Sequence, residues 1–286
     1  DQGTKGLEPG DSSSSLDGKL VSDAGTIVPL LGNENSAEML VEMASAINTR
    51  SSVQAVNITE VPNQTFLEAL NKDTPKVLSI ERRLKRLSKI QKLKIDFESA
   101  VTHEVSNTIA ELSGQTNCDW LVMGWDGRAH SGILVRNPVG WLLANVQSNF
   151  ALFKDNGIKN ISKIVIALRP GRKDRNFLAV SERVASFYGA SLTLLHIITP
   201  SFSKKEANKI KEKSSSLLSN LKVPTTLEVL ESEDPLYSIS KVSSEHDLLI
   251  LGAPEKDNWI SILLGTRRDK FTESSACSVL RLTMKG

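Results

Sequence analysis

The stretch from Asp247 to Thr266, DLLILGAPEKDNWISILLGT, constrains the fold of this chain more than any other. Its apolar run, Leu248 to Leu251, does not alternate with polar residues, which is the pattern of a strand in a parallel sheet covered on both faces. Gly252 closes the run where the chain has to turn. Gly265 and Thr266 then place a small residue and a hydroxyl at the start of an expected helix over 266–274. A helix start has unpaired N–H donors and a favourable dipole, so a corner of this kind can hold a phosphate.

The parallel neighbours that such a strand needs are supplied twice along the chain. From Thr26 the pattern reads strand (TIVPLLG, ending at Gly32), helix with Met39, Leu40, Met43, Ala44 and Ile47 on one face, strand 53–58, and a long helix from 74 to 92. Strand 93–98, helix 104–113, strand 119–125, helix 138–147 and strand 150–154 follow. After the turn KDNGIKN the order begins again with strand 163–168. Helix 173–187, strand 191–198, helix 204–219, strand 226–231, helix 234–244, strand 247–252, helix 266–274 and strand 278–283 complete it. Equal element order in two halves is the mark of an internal duplication. Strands alternating with helices give an α/β fold: Rossmann-like, doubly wound, mostly parallel five-stranded repeats. The expected divisions are a Gly- and Ser-rich flexible tether at 1–24, a first subdomain at 25–155 and a second at 156–286.

Composition narrows the function classes. With 35 Lys and Arg against 33 Asp and Glu the net charge is only +2, so no global field favours nucleic acid. Two distant cysteines, Cys118 and Cys277, give neither a disulfide framework nor a zinc spacing. No apolar segment reaches the roughly 18 residues of a membrane span. The absent initiator methionine suits a piece cut from a larger protein.

The glycine corners carry a family likeness. In the second half Gly252 is followed by Gly265-Thr266, with Glu255 in between; in the first, Gly124 and Gly127 stand in GWDG, and Arg136-Asn137 follow. Together with the strand–helix order, each half resembles a universal stress protein domain, whose fourth strand is followed by G-x2-G-x9-G-(S/T). Glu255 occupies the place of the second glycine, and Arg136-Asn137 that of the last pair, so neither half has the whole phosphate cradle. The aspartate that ends the first strand in nucleotide-binding members aligns with Leu31 and Leu168. An apolar side chain there offers no hydrogen bond to a nucleotide, and Glu255 adds negative charge where phosphates would lie. Both clefts read as degenerate, and no cofactor is expected. ATP or AMP at Gly252, Gly265 and Thr266, or at the remnant Gly124 and Gly127, is the alternative.

The runs VPLLGNENSAEML, VPNQT and MGWDGR are also similar to the cytoplasmic C-terminal regions of transporters in the amino acid–polyamine–organocation superfamily. They are most like a prokaryotic cation-chloride (Na-K-Cl type) cotransporter, with a cationic amino acid permease next. The resemblance implies a non-catalytic regulatory and dimerisation domain on the cytoplasmic side of the cell membrane. Its partners would be a second copy and the membrane-spanning part of the same transporter. It also implies that strands 150–154 and 278–283 pair within the chain, as a pseudo-dimer.

Other candidate residues carry less. The basic residues of helix 82–94 (Arg82, Arg83, Lys85, Arg86, Lys89, Lys92) read first as a solvated helix face over an apolar stripe of Ile80, Leu84, Leu87 and Ile90; contact with anionic lipid is the functional reading. His103, His130, His196 and His246 show no ligand spacing, and His196, inside an apolar strand, reads as a hydrogen-bonded core histidine. Cys277 reads as a small buried residue. Trp120 and Trp141 are expected to close the first cleft by packing, leaving Trp125 and Trp259 as interface candidates. No residue is assigned a catalytic or metal-binding role.

Overall fold

The computed structural model describes residues 24–31, 37–50, 52–67, 73–124, 138–168, 174–198, 200–201, 203–252 and 277–285. The first half runs β1 (Ala24–Leu30), α1 (Ala37–Ile47), β2 (Ser52–Glu60), α2 (Pro75–Gln91), β3 (Ile95–Thr102), α3 (Val105–Thr116), β4 (Trp120–Gly124), α4 (Pro138–Asn145) and β5 (Asn149–Lys154). The second runs β6 (Lys163–Ala167), α5 (Asp174–Tyr188), β7 (Ser191–Ile198), α6 (Lys204–Leu218), β8 (Thr225–Glu231), α7 (Pro235–Ser243), β9 (Leu248–Gly252) and β10 (Ser278–Thr283). The tether expected at 1–24, apart from Ala24, and the helix expected at 266–274 lie outside the described residues.

Local chemistry sets the element ends. The Thr74 hydroxyl accepts from Val77 N at 3.3 Å and Pro75 follows it, so α2 begins with a capped turn. Lys92 leaves α2 in the left-handed region (φ 56°), and its N–H closes on Ser88 O. That closure uses the residues where a strand was expected from 93; β3 therefore starts at Ile95 and runs on to Thr102. Ser203 and Glu206 form a reciprocal capping box at the start of α6.

The strands expected at 150–154 and 278–283 do pair, so the two five-stranded sets meet in one sheet rather than standing as two. All the strands join one ten-stranded sheet in the order β3-β2-β1-β4-β5-β10-β9-β6-β7-β8. Neighbours are parallel except at the centre, where β5 and β10 run antiparallel from Phe150↔Thr283 to Lys154↔Val279. Hydrogen bonds related by an approximate two-fold axis close both ends of this junction. Asn156 N donates to Ser278 Oγ and Lys285 N to Asn149 Oδ1, each at 3.0 Å and each seven residues after the partner's equivalent. The outer strands β3 and β8 carry Asp96, Glu98, Glu228 and Glu231, charges that discourage further strand pairing.

One apolar core spans both halves on a single sheet face, beneath α1, α2, α5 and α6. Among the described residues the opposite face has two separate cores, under α3 with α4 and under α7. Strand side chains alternate between these layers. Trp120 and Val122 of β4 face the common core while Leu121 and Met123 face the other; Leu248 and Ile250 of β9 likewise alternate with Leu249 and Leu251. Two apolar faces require the unbroken apolar run seen in the sequence.

Helices α1 and α5 pack on each other across the junction. Arg183 of α5 donates to Ile47 O at the end of α1, from Nε at 3.3 Å and Nη2 at 3.2 Å. A cation is favoured at that helix end by the dipole, and partial burial pulls the guanidinium's proton affinity down. Tyr188, also on α5, has its phenol pushed up by burial and by the Glu42 carboxylate of α1.

Candidate functional site

Strand order reverses between β1 and β4 in the first half and between β6 and β9 in the second. Open α/β sheets bind ligands outside the carboxyl ends of strands at such switch points, so the two corners are where a ligand would sit. Gly124 ends β4 and Gly252 ends β9, so both lie at these corners. Gly127, Gly265, Thr266, Glu255, Arg136, Asn137, Trp125, Trp259 and His130 lie outside the described residues.

Equivalent backbone bonds fix how the halves correspond. Asp119 N donates to Gly25 O and Asp247 N to Lys163 O, both at 2.9 Å; Asn149 N donates to Asp119 O and Ser278 N to Asp247 O, at 2.9 and 3.0 Å. Asp119 therefore matches Asp247, Gly25 matches Lys163, and five residues on Leu30 matches Leu168. This corrects the alignment of Leu31 with Leu168. Leu30 is fully buried in the common core, which Leu168 also borders, whereas Leu31 packs against the opposite core. The corner position is apolar in both halves all the same.

The second corner is the better described. The register of β6 and β9, Ala167 beside Leu251, sets Leu168 beside Gly252. Over Gly252 lies the ring of Phe177, from the first turn of α5 and 3 % exposed. A Cβ on Gly252 would meet its Cε2 at 3.6 Å and Cδ2 at 3.8 Å. Phe177 was not identified from the sequence as a corner residue; an aromatic in the first turn after the first strand of this half is the signal that could have found it. Gly252 has no positive φ, so the backbone itself does not demand glycine there.

His196 anchors the same corner from behind. Its Nδ1 lies 2.6 Å from Leu168 O and its Nε2 2.6 Å from Ser214 Oγ. A carbonyl can only accept, so Nδ1 carries the proton and Nε2 accepts from the serine hydroxyl. This ties the end of β6 to α6 and makes His196 the hydrogen-bonded core histidine expected. His103 Nδ1 meets Val61 O at 3.2 Å, and His246 lies between Val242 O at 2.8 Å and Thr193 Oγ1 at 3.2 Å. Among the described residues no three His, Cys, Asp or Glu side chains gather as metal ligands.

At the opposite end of the sheet Asp247 is a fixed carboxylate. Burial opposes its ionisation, but Ser162 N, Ser162 Oγ and Lys163 N all donate to Oδ2 within 2.9 Å, and together they hold it below the usual aspartate range. Cys277 is buried and burial pushes its thiol up, the state of a packed residue rather than an activated nucleophile. Trp120 and Trp141 are not placed to close the first cleft as expected. Trp120 is buried at the start of β4, the far end from Gly124, and Trp141 on α4 is 42 % exposed.

No protein-family model matches the chain, and no curated protein matches it in sequence. Solved structures match in fold. A universal stress protein from Archaeoglobus fulgidus is similar over 93 % of this chain and 97 % of its own, with TM-score 0.56 and 15 % identity. A putative universal stress protein from Pseudomonas aeruginosa covers 92 % and 94 %, with TM-score 0.58 and 11 % identity. The cytoplasmic domain of a prokaryotic cation chloride cotransporter covers 91 % and 95 %, with TM-score 0.58 and 13 % identity. The chain thus has a universal stress protein-like α/β fold with a mostly parallel sheet. No helix among the described residues is long and apolar enough to cross a membrane.

Proposed function

We propose that this chain is a non-catalytic regulatory and assembly domain of a membrane secondary transporter of the cation-chloride cotransporter type. In this reading its two halves are a fused pseudo-dimer and its partners are a second copy and the transporter's membrane part, on the cytoplasmic side. The observation that carries it is the apolar second corner, where Leu168 and Phe177 stand around Gly252. The apolar Leu30 at the equivalent place in the first half supports the same view. Likeness along nearly the whole chain to the cytoplasmic domain of a cotransporter supports the transporter context. Such a domain works by coupling free energy, through contacts that differ between transporter states, and needs no chemical step.

Titration calorimetry of the chain with ATP and with AMP tests the degenerate clefts. The expected result is no heat of binding at micromolar affinity. Heat that disappears in Gly265→Trp would overturn this reading in favour of a nucleotide sensor.

A further inference from the structure

We propose that the outward face of α2 docks on a membrane surface rich in anionic lipid headgroups. Val77, Ile80 and Leu84 bury one side of α2 in the common core. Leu78, Arg82, Lys85, Arg86 and Lys89, spaced four, three, one and three residues apart, therefore form a line on the side facing away. All five are exposed.

The line is poorly compensated from within the chain. Lys85 pairs with Glu81, and Arg82 Nε donates to Leu78 O at 3.2 Å; Arg83, beside the line, pairs with Glu38. Arg86 and Lys89 meet no carboxylate among the described residues. The pairs Arg82–Arg86 and Lys85–Lys89 are like charges one helical turn apart, which work against the helix. A helix that accepts this repulsion on its solvent side is complementary to a negative surface. Helix α6, its counterpart in the second half, differs: Lys205 and Lys209 are followed on its outward side by Glu212. The lysines of α6, Lys204, Lys205, Lys209, Lys211 and Lys213, are interspersed with Glu206 and Glu212, whereas the outward line of α2 has no acid in it.

Apolar groups on the same side favour a bilayer over nucleic acid. Leu78 begins the line at 39 % exposure, and Ile90 beside its far end is 68 % exposed, although its sequence spacing had assigned it to the buried stripe. Such side chains can enter the headgroup region, whereas α2 presents no aromatic ring to stack on a base.

The test is co-sedimentation of the whole chain with vesicles of phosphatidylcholine alone and of equal parts phosphatidylcholine and phosphatidylserine. Each cation near a negative membrane strengthens partition about five-fold, so R82Q/K85Q/R86Q/K89Q should weaken it by roughly several hundred-fold. Added salt should release the wild type. The α6 variant K205Q/K209Q should bind as the wild type does. No preference for phosphatidylserine, or an equal loss in the α6 variant, would overturn the proposal. Tighter binding to a duplex oligonucleotide than to the vesicles at equal salt would overturn it too, and assign the face to nucleic acid. The inference stands apart from the transporter reading: vesicle binding without self-association fails that reading alone, and self-association without vesicle binding fails this one alone.

Discussion

Two strand glycines, one at each end of the sheet, have opposite physical roles. A Cβ on Gly25 in β1 would lie 2.3 Å from Asn48 Oδ1 and 2.5 Å from Arg50 Cβ, in the loop that also carries the Arg50–Asp119 ion pair. Gly25→Ala should destabilise the fold by about 1–3 kcal/mol, the usual cost of overpacking. Gly252→Ala adds only ordinary contact with Phe177 and should change stability by less than about 1 kcal/mol. Urea unfolding of the two variants checks the contrast; equal losses would contradict the corner geometry. The residue scale is also where the sequence was least legible. Leu30 and Leu31 are both leucine, and a slip of one residue moves a strand side chain to the other face, so only the pairing could separate them. Phe177 reads as one more apolar helix residue until β9 is placed beneath it.

At the scale of elements the sequence was far more explicit. β7 was read from 191 to 198, as observed, because an apolar run with β-branched residues lies between Gly189-Ala190 and the following turn. β3 was misplaced because Lys92, not a glycine, takes the left-handed conformation that ends α2, and no sequence pattern marks a lysine for that role. The β5–β10 pair joins the halves through its ladder, the two end-closing bonds and the α1–α5 contact with Arg183. Hydrogen exchange should therefore find the paired amides of β5 and β10 as protected as those of β1 and β6. Fast exchange confined to 150–154 and 279–283 would mean that the halves open independently.

For the whole molecule, the doubly wound α/β class was legible because strand and helix periods alternate along most of the described chain, with β6 following β5 where the second half begins. The joining of the halves into one ten-stranded sheet was expected only through the resemblance that pairs 150–154 with 278–283; periodicity does not show it, since pairing between distant strands leaves only two short apolar segments as its trace. The joined sheet leaves β3 and β8 as its edges, both acidic. Under the proposed reading, self-association would use surfaces other than β5 and β10, which pair with each other, and would not need nucleotide. Sedimentation velocity over a concentration series, with and without ATP, tests this most directly. The account predicts a concentration-dependent dimer that ATP leaves unchanged; a monomer at every concentration, or a dimer that ATP makes or breaks, would contradict it.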